Sequence, residues 1–200
     1  MLRMGLTGGI ASGKSAVAAM LREMGFRVIE ADLVAHKLLD PGEAAHDEVL
    51  HEFGADLADG MGKIDRAKLA AIVFADPAKL ARLNQIIHPK VDEIVFRQFS
   101  EWEKSGVRDA AFVEAALLVE AGMSKKLDGL VVAYCRPEQQ LERLRARGMS
   151  EVEAKRRIAA QMPVDEKLRH ATEKIECSGT LQETRAQVRA LAAKLRKAGN

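Results

Sequence analysis

Residues 8–15 read Gly8-Gly9-Ile10-Ala11-Ser12-Gly13-Lys14-Ser15. This segment fits the pattern G-x-x-x-x-G-K-[ST] at every fixed position, and that pattern is typical of a loop that binds nucleotide phosphates. Such a loop opens a helix, where backbone N–H groups and the helix dipole attract phosphate charge. The lysine can reach the β- and γ-phosphates, and the serine hydroxyl can ligate Mg²⁺. The segment therefore predicts a site for ATP and Mg²⁺ formed by Gly8, Gly9, Ala11, Ser12, Gly13, Lys14, Ser15 and Ala16.

The residues on either side of this loop supply the structural context that it requires. Alternating apolar residues at 2–6 predict a short strand, helical periodicity follows at 14–24, and a second apolar run at 26–29 predicts another strand. Strand, loop, helix and strand form a βαβ unit, which implies a parallel sheet. A dinucleotide-binding loop is disfavoured, because residues 8–13 lack the G-x-G-x-x-G spacing.

The rest of the chain predicts an α/β fold with two helical additions. Strand patterns return at 110–116 and 130–135, and weakly near the C-terminus, whereas 41–105 reads as helix throughout, with Pro89 opening a new helix. We expect a P-loop NTPase-type doubly wound parallel sheet in one domain, residues 1–200. Its parts are a core at about 1–40, 106–137 and 171–200, an insertion at about 41–105 and a small helical lid at about 138–170.

Composition limits the classes of partner. The chain is 48% hydrophobic, and its net charge of +2 is far from the basic character of nucleic-acid-binding proteins. Two cysteines, Cys135 and Cys177, are too few for a disulfide framework. No apolar run approaches the ~20 residues of a membrane span, and no signal segment opens the sequence. We therefore expect a cytoplasmic protein that binds small molecules, with neither nucleic acid nor a membrane as a partner.

Carboxylates follow two of the predicted strands. Asp32 ends the second apolar run, at the edge where parallel sheets bind ligands, and could accept the proton of an attacking hydroxyl. It could instead be the N-cap of a helix over 33–39. Glu114 ends the strand predicted after residue 110, where an acidic residue can support Mg²⁺ through water. An ordinary solvated glutamate is the alternative for that position.

The segment between Arg136 and Arg157 carries seven basic residues against four acidic ones. Arg143 and Arg147 are one helical turn apart and would share one face of a helix. A mobile lid with arginines can meet the charge that develops in phosphoryl transfer and can exclude water. Solvated surface arginines are the alternative.

Six segments occur in a recognisable order: TGGIASGKS at 7–15, EADLVAH at 30–36, IHP at 87–89, LLVE at 117–120, RPEQQLERL at 136–144 and RRIAAQM at 156–162. With them the chain resembles the dephospho-CoA kinase family over about residues 1–195. Many families share the phosphate loop, but the Asp32-x-x-x-His36 segment and the triplet around His88 are far more particular to this family.

The resemblance implies transfer of the γ-phosphoryl group of ATP to the ribose 3′-hydroxyl of dephospho-CoA. It implies that Asp32 activates this hydroxyl, that His36 and His88 lie near the acceptor, and that region 41–105 binds it. Arg143 and Arg147 fall in the lid of the family.

The chain also departs from the usual pattern of the family. Glu114 stands where the family usually has Asp. The other departures are Ala11, Ala16, Ala116, Val119, Thr172 and Cys177. Because the resemblance implies that the last two positions lie near the adenine of the nucleotide, the sequence predicts no residue that reads the base.

Two other functions stay open from the sequence. A kinase of the same architecture could phosphorylate another small hydroxyl or nucleotide acceptor. A nucleotide-gated binding protein could use the loop to sense ATP and the helical insertion to meet a partner. A GTP-dependent switch is disfavoured, because the chain has no Asn-Lys-x-Asp motif.

Overall fold

The computed structural model describes residues 1–198. Its strands are β1 (Leu2–Thr7), β2 (Arg27–Glu30), β3 (Ala110–Glu114), β4 (Gly129–Tyr134) and β5 (Glu173–Glu176). Its α-helices are α1 (Lys14–Glu23), α2 (Ala31–Lys37), α3 (His46–Phe53), α4 (Arg66–Phe74), α5 (Pro77–Lys104), α6 (Pro137–Ala146), α7 (Glu151–Ala159), α8 (Val164–Arg169) and α9 (Leu181–Ala198). Two short 3-10 helices cover Ala55–Leu57 and Met123–Lys126.

The five strands form one parallel sheet in the order β2-β3-β1-β4-β5. β1 lies at its centre, and Leu6 is aligned with Glu114 of β3 on one side and Val131 of β4 on the other. Crossover helices connect parallel strands because a hairpin cannot. The predicted α/β fold with a doubly wound parallel sheet is confirmed.

The hydrophobic core forms where α1 and α9 pack against the sheet. Val17 and Leu21 of α1 are fully buried, as is Val188 of α9, and all three belong to one cluster with Leu6 and Phe112 of the central strands. Each fully buried aliphatic or aromatic side chain contributes about 1.5–3 kcal/mol through burial. This packing orients the first turn of α1 at the carboxyl edge of the sheet, next to the end of β1.

The chain divides into two compact units, one of residues 1–30 with the chain from Phe99 onward and the other of Ala31–Gln98. Every residue of the second unit is described, and none of them lies in a strand. This unit begins before the insertion predicted at about 41–105, because α2 belongs to it.

The prediction that Pro89 opens a new helix is wrong. Helix α5 is continuous from Pro77 to Lys104, and Pro77 occupies the first helical position. Pro89 cannot donate to the Gln85 carbonyl four residues earlier, which costs the helix one hydrogen bond. Apolar burial on both sides of the proline offsets this loss, since the buried stripe includes Ile86, Ile87, Val91 and Val95.

His46 in the second unit is a buried imidazole with two hydrogen-bond partners. Its Nδ1 lies 2.7 Å from Asp47 Oδ1, and its Nε2 lies 2.7 Å from the Gly62 carbonyl oxygen. Only the protonated ring can donate at both nitrogens. The bonds to Asp47 and Gly62 therefore raise the pKa of His46 above 6.5, although burial opposes them.

Lys167 of α8, in the first unit, is a charged residue whose side chain is fully buried. Its side chain is 0% exposed, and its Nζ donates to the Ala116 carbonyl (2.6 Å) and pairs with Glu120 (2.9 Å). The Thr7 hydroxyl donates to the same Ala116 carbonyl at 3.1 Å. Lys167 thus joins the end of the predicted lid to the loop that follows β3.

We expect an NMR titration of the His46 ring to give a midpoint above 6.5, because both hydrogen bonds favour the charged form. The stability that these bonds add is complete below pH 6.5 and is lost as the pH rises through the native pKa. Urea unfolding should therefore separate the wild type from His46→Gln more at about pH 5.5 than at about pH 8.5. A midpoint at or below 6.5 would contradict the assignment.

We expect Lys167→Met to lower the free energy of unfolding by about 1–3 kcal/mol, because it removes the bonds that a fully buried ammonium group makes to the Ala116 carbonyl and to Glu120. The control is Lys155→Met, which removes an exposed lysine that pairs with Glu151 at 2.7 Å and should cost less than about 0.5 kcal/mol. If denaturant unfolding gives equal losses of unfolding free energy in the two variants, Lys167 contributes no more to stability than a solvent-exposed lysine.

Candidate active site

The loop between β1 and α1 takes its shape from close backbone contacts. Gly13 is the N-cap of α1 with φ +105, and a Cβ there would lie 2.7 Å from the Cβ of Cys177. A Cβ on Gly8 would lie 2.3 Å from the Ala133 carbonyl oxygen of β4. Glycine is therefore needed at both positions, at Gly13 for conformation and space and at Gly8 for space.

The loop lines a cavity of about 580 Å³ within the first unit. Seven of the eight residues predicted to bind ATP line it, Gly9 and Ala11–Ala16, whereas Gly8 lies buried against β4. Arg143, Arg147, Gln161 and Cys177 line it as well. A cavity of this size holds a ligand of nucleotide dimensions.

Lys14, Ser15 and Glu114 converge in this cavity region. Lys14 Nζ lies 2.6 Å from Glu114 Oε1, and the Ser15 hydroxyl lies 3.5 Å from the same oxygen. The side chain of Glu114 is 5% exposed and that of Lys14 is 15% exposed, so each charge offsets the other in a site with little water. The register brings them together, because Glu114 is aligned with Leu6 of β1, just before the loop.

The same oxygen atoms fit a magnesium ion that nucleotide phosphates help to hold. Within residues 1–198 no group of three or more His, Cys, Asp or Glu side chains could hold a metal. Mg²⁺ commonly takes one or two protein oxygens and completes its shell with phosphates and water. The Ser15 hydroxyl and the Glu114 carboxylate are such a pair.

The two predicted lid arginines have different environments. Arg143 lies in the last turn of α6, and its guanidinium donates to the Ala11 carbonyl (3.1 Å) and the Cys177 carbonyl (2.6 Å). Arg147 lies just past the helix, because Gly148 follows with φ +83 and α6 ends at Ala146. Over residues 1–198, the exposed Arg147 side chain makes no hydrogen bond or ion pair. Arg147 is therefore the C-cap residue of α6 and not part of the helix, although both side chains line the same cavity.

Cys177, at the end of β5, faces the same cavity as a neutral thiol. Burial raises its pKa to about 11, although the Arg143 guanidinium acts in the opposite direction. Burial also raises the pKa of Cys135. Because thiolates are the nucleophilic form, neither cysteine is suited to covalent chemistry near neutral pH.

The predicted acceptor residues lie in the second unit. Asp32 is exposed in the first turn of α2, and no hydrogen bond or ion pair of its carboxylate occurs within residues 1–198. The alternative that it caps this helix is therefore not supported. His36 lies in the last turn of α2, and its ring is exposed. His88 is half-buried in α5, and burial lowers its pKa, although the Asp92 carboxylate opposes this.

Sequence reasoning missed two glutamines of the site, Gln140 and Gln161. Both bind the backbone of the phosphate loop. They occur within segments that resemble the known family, but an uncharged amide gives no signal in periodicity or charge. Only the fold brings them to the loop.

Comparison with known proteins gives a consistent result. The family model described as CoaE, Dephospho-CoA kinase, matches residues 2–183. The Dephospho-CoA kinase of Carboxydothermus hydrogenoformans is 45% identical over 185 residues, which cover 92% of this chain and 89% of that protein. The solved structure of TT1252 from Thermus thermophilus has a TM-score of 0.83 and 34% identity and covers 97% of each chain. That of Dephospho-CoA kinase from Campylobacter jejuni has a TM-score of 0.74 and 28% identity, covering 99% of this chain and 98% of that one.

A family model that matches nearly the whole chain, together with relatives of this identity and coverage, leaves one conclusion: the chain belongs to the dephospho-CoA kinase family.

Proposed function

We propose that this chain transfers the γ-phosphoryl group of ATP to the ribose 3′-hydroxyl of dephospho-CoA, giving CoA and ADP in the last step of CoA biosynthesis. The observation that carries the proposal is the convergence of Lys14, Ser15 and Glu114 beside a nucleotide-sized cavity, in a member of the dephospho-CoA kinase family. A binding protein that merely senses ATP would not need the general base and the arginines described below.

The phosphate loop binds and orients the triphosphate. Backbone N–H groups at the start of α1 meet the phosphate oxygens, and the helix dipole adds favourable potential. Lys14 has three donors on its ammonium group, so it can keep its bond to Glu114 while it donates to the β- and γ-phosphates. Glu114 therefore positions Lys14 before the nucleotide binds.

Mg²⁺ is part of this proposal. The Ser15 hydroxyl would hold the ion directly, and Glu114 would support it through water. When bound, the ion offsets the charge on the phosphate oxygens during transfer. The extra methylene of Glu114, relative to the aspartate usual in the family, leaves its carboxylate within 3.5 Å of the Ser15 hydroxyl.

The second unit supplies the acceptor side in this proposal. The exposed carboxylate of Asp32, which no other side chain neutralises in the described structure, takes the proton from the 3′-hydroxyl as the phosphoryl group arrives. His36 and His88 contact the acceptor. The lowered pKa of His88 keeps its ring neutral near pH 7, so that it recognises the acceptor by hydrogen bonding and not by charge.

The segment 138–170 acts as the lid. Arg143 is committed to the backbone of the loop and of β5, so it shapes the phosphate site. Arg147, which has an exposed guanidinium, meets the transferred group and helps to exclude water. The two arginines therefore have different roles in this proposal.

The proposed location is the cytoplasm. Both cysteines, Cys135 and Cys177, are free thiols, as is usual in a reducing compartment. As a separate finding, each helix within residues 1–198 is too short or too polar to cross a bilayer.

A panel of hydroxyl acceptors tests the proposal. Purified protein is incubated with ATP and Mg²⁺ and with one acceptor at a time: dephospho-CoA, adenosine or AMP. Mass spectrometry then measures the masses of the products. We expect dephospho-CoA alone to gain one phosphoryl group, with release of ADP. Lys14→Ala should lower turnover by about 10²-fold or more, since it deletes a preorganised electrostatic contact. Preferential phosphorylation of another acceptor would contradict the proposed function.

Replacement of Asp32 by Asn keeps the size of the side chain and removes the carboxylate that takes the proton. We expect kcat to fall by about 10²–10⁴-fold, while the KM for ATP and the melting temperature stay as in the wild type. The matched control is Asp165→Asn, because Asp165 is also exposed in the first turn of a helix, α8. A normal kcat in Asp32→Asn would remove Asp32 from the reaction.

A further inference from the structure

Ile10 lies at the outer turn of the phosphate loop, and side chains from distant parts of the chain bind its backbone on both sides. Its N–H donates to Gln161 Oε1 at 2.8 Å, and its C=O accepts from Gln140 Nε2 at 2.8 Å. Within residues 1–198, no backbone group bonds to this N–H or C=O. The two peptide groups on either side of the Ile10 Cα therefore each depend on one glutamine amide for their orientation.

This turn has little to hold it from inside the loop. Its one internal backbone bond runs from the Ser12 N–H to the Gly9 carbonyl, at 3.1 Å. Ala11 has φ +58, the left-handed region that costs a residue with a Cβ about 1–2 kcal/mol. A loop that contains such a residue keeps its shape only where neighbouring groups over-determine it.

The glutamines come from two elements of the segment 138–170. Gln140 is buried in α6, and Gln161 follows α7. Arg143 of α6 adds a third bond, to the Ala11 carbonyl at 3.1 Å. Three polar side chains of one segment thus bind two consecutive residues of the loop.

We propose that Gln140 and Gln161 are positioning residues for ATP: they clamp the backbone of Ile10 on both sides and so hold the phosphate loop in the shape that receives the triphosphate. This inference rests on the proposed function for the identity of the nucleotide. The clamp also makes the loop sensitive to the position of α6 and of the residue after α7. A change that shifts α6 or Gln161 therefore weakens ATP binding, even though the sequence of the phosphate loop is unchanged.

The geometry of Gly9 gives a second way to open the clamp. A Cβ on Gly9 would lie 2.6 Å from Gln140 Nε2, and its next neighbours would be 3.8 Å away. Gly9→Ala therefore displaces the Gln140 amide and little else. It should reproduce the loss seen in Gln140→Met, and the double variant should be no worse than either single one, because both remove the same hydrogen bond.

The test compares Gln140→Met and Gln161→Met, which keep side-chain length and remove the amide, with Gln139→Met. Gln139 is the neighbour of Gln140 on α6, and its Nε2 makes a bond of similar length, 2.7 Å, to the Ser178 carbonyl. Calorimetry should show that the Kd for ATP rises about five- to tenfold in both clamp variants, the effect of one lost hydrogen bond. Gln139→Met should leave this Kd within about twofold of wild type. Hydrogen exchange of the Ile10 amide should accelerate in Gln161→Met.

Wild-type Kd in both clamp variants would overturn the proposal, and so would an equal rise in Gln139→Met, since the effect would then belong to α6 as a whole. If a methionine variant fails to fold, Gln140→Asn and Gln161→Asn decide by the same measurements, because they keep a polar amide and shorten the side chain by one methylene, so that it no longer reaches Ile10. Binding and exchange do not depend on turnover. If the wild-type protein binds ATP but leaves dephospho-CoA unphosphorylated, the proposed function is refuted, whereas the proposed role of Gln140 and Gln161 is not.

Discussion

The contact between Lys14 and Glu114 is the interaction on which the nucleotide site depends. A carboxylate that is nearly buried requires a cation close by, and a lysine beside a loop of backbone N–H groups requires an anion until phosphates arrive. The parallel register of β1 and β3 meets both requirements, since the two strands end side by side at one edge of the sheet. The loop, the first turn of α1 and the end of β3 are thereby held in one arrangement before any ligand binds. Such preorganisation is what makes an electrostatic site effective.

Two departures from the family pattern fall on the same wall of the cavity. Ala11 takes a conformation that glycine would adopt without strain, and its carbonyl is bound by Arg143. Cys177 packs against Gly13, and its own carbonyl is bound by the other end of the same guanidinium. One arginine therefore ties both unusual residues together. The wall is built from backbone carbonyls and a neutral thiol, so the positive charge of the site comes from the side chains of Lys14, Arg143 and Arg147.

Local pattern was sufficient to predict the sheet and the loop, because both follow from short-range chemistry. The alternation at residues 2–6 and the glycine spacing at 8–13 each describe neighbours in the chain. Pro89 was misread because its local preference for a helix start was outweighed by burial along α5. The spacing of Arg143 and Arg147 suggested that both lie within one helix, but α6 ends at Ala146, and Gly148 follows with a positive φ. Gln140, Gln161 and Lys167 could not be found from pattern, since their partners lie 130, 151 and 51 residues away along the sequence.

The distance in sequence between the phosphate loop and the side chains that hold it also has a consequence for synthesis. The ribosome makes residues 8–15 first, and the glutamines follow 130 and 151 positions later. At about 5–20 residues per second, the loop is made roughly 7–30 seconds before them. Ligand stabilises a state in proportion to how well that state binds it, so under the proposed clamp ATP should stabilise an N-terminal fragment less than it stabilises the full chain. Full affinity for the nucleotide would then require the nearly finished polypeptide, although the phosphate loop lies within the first fifteen residues.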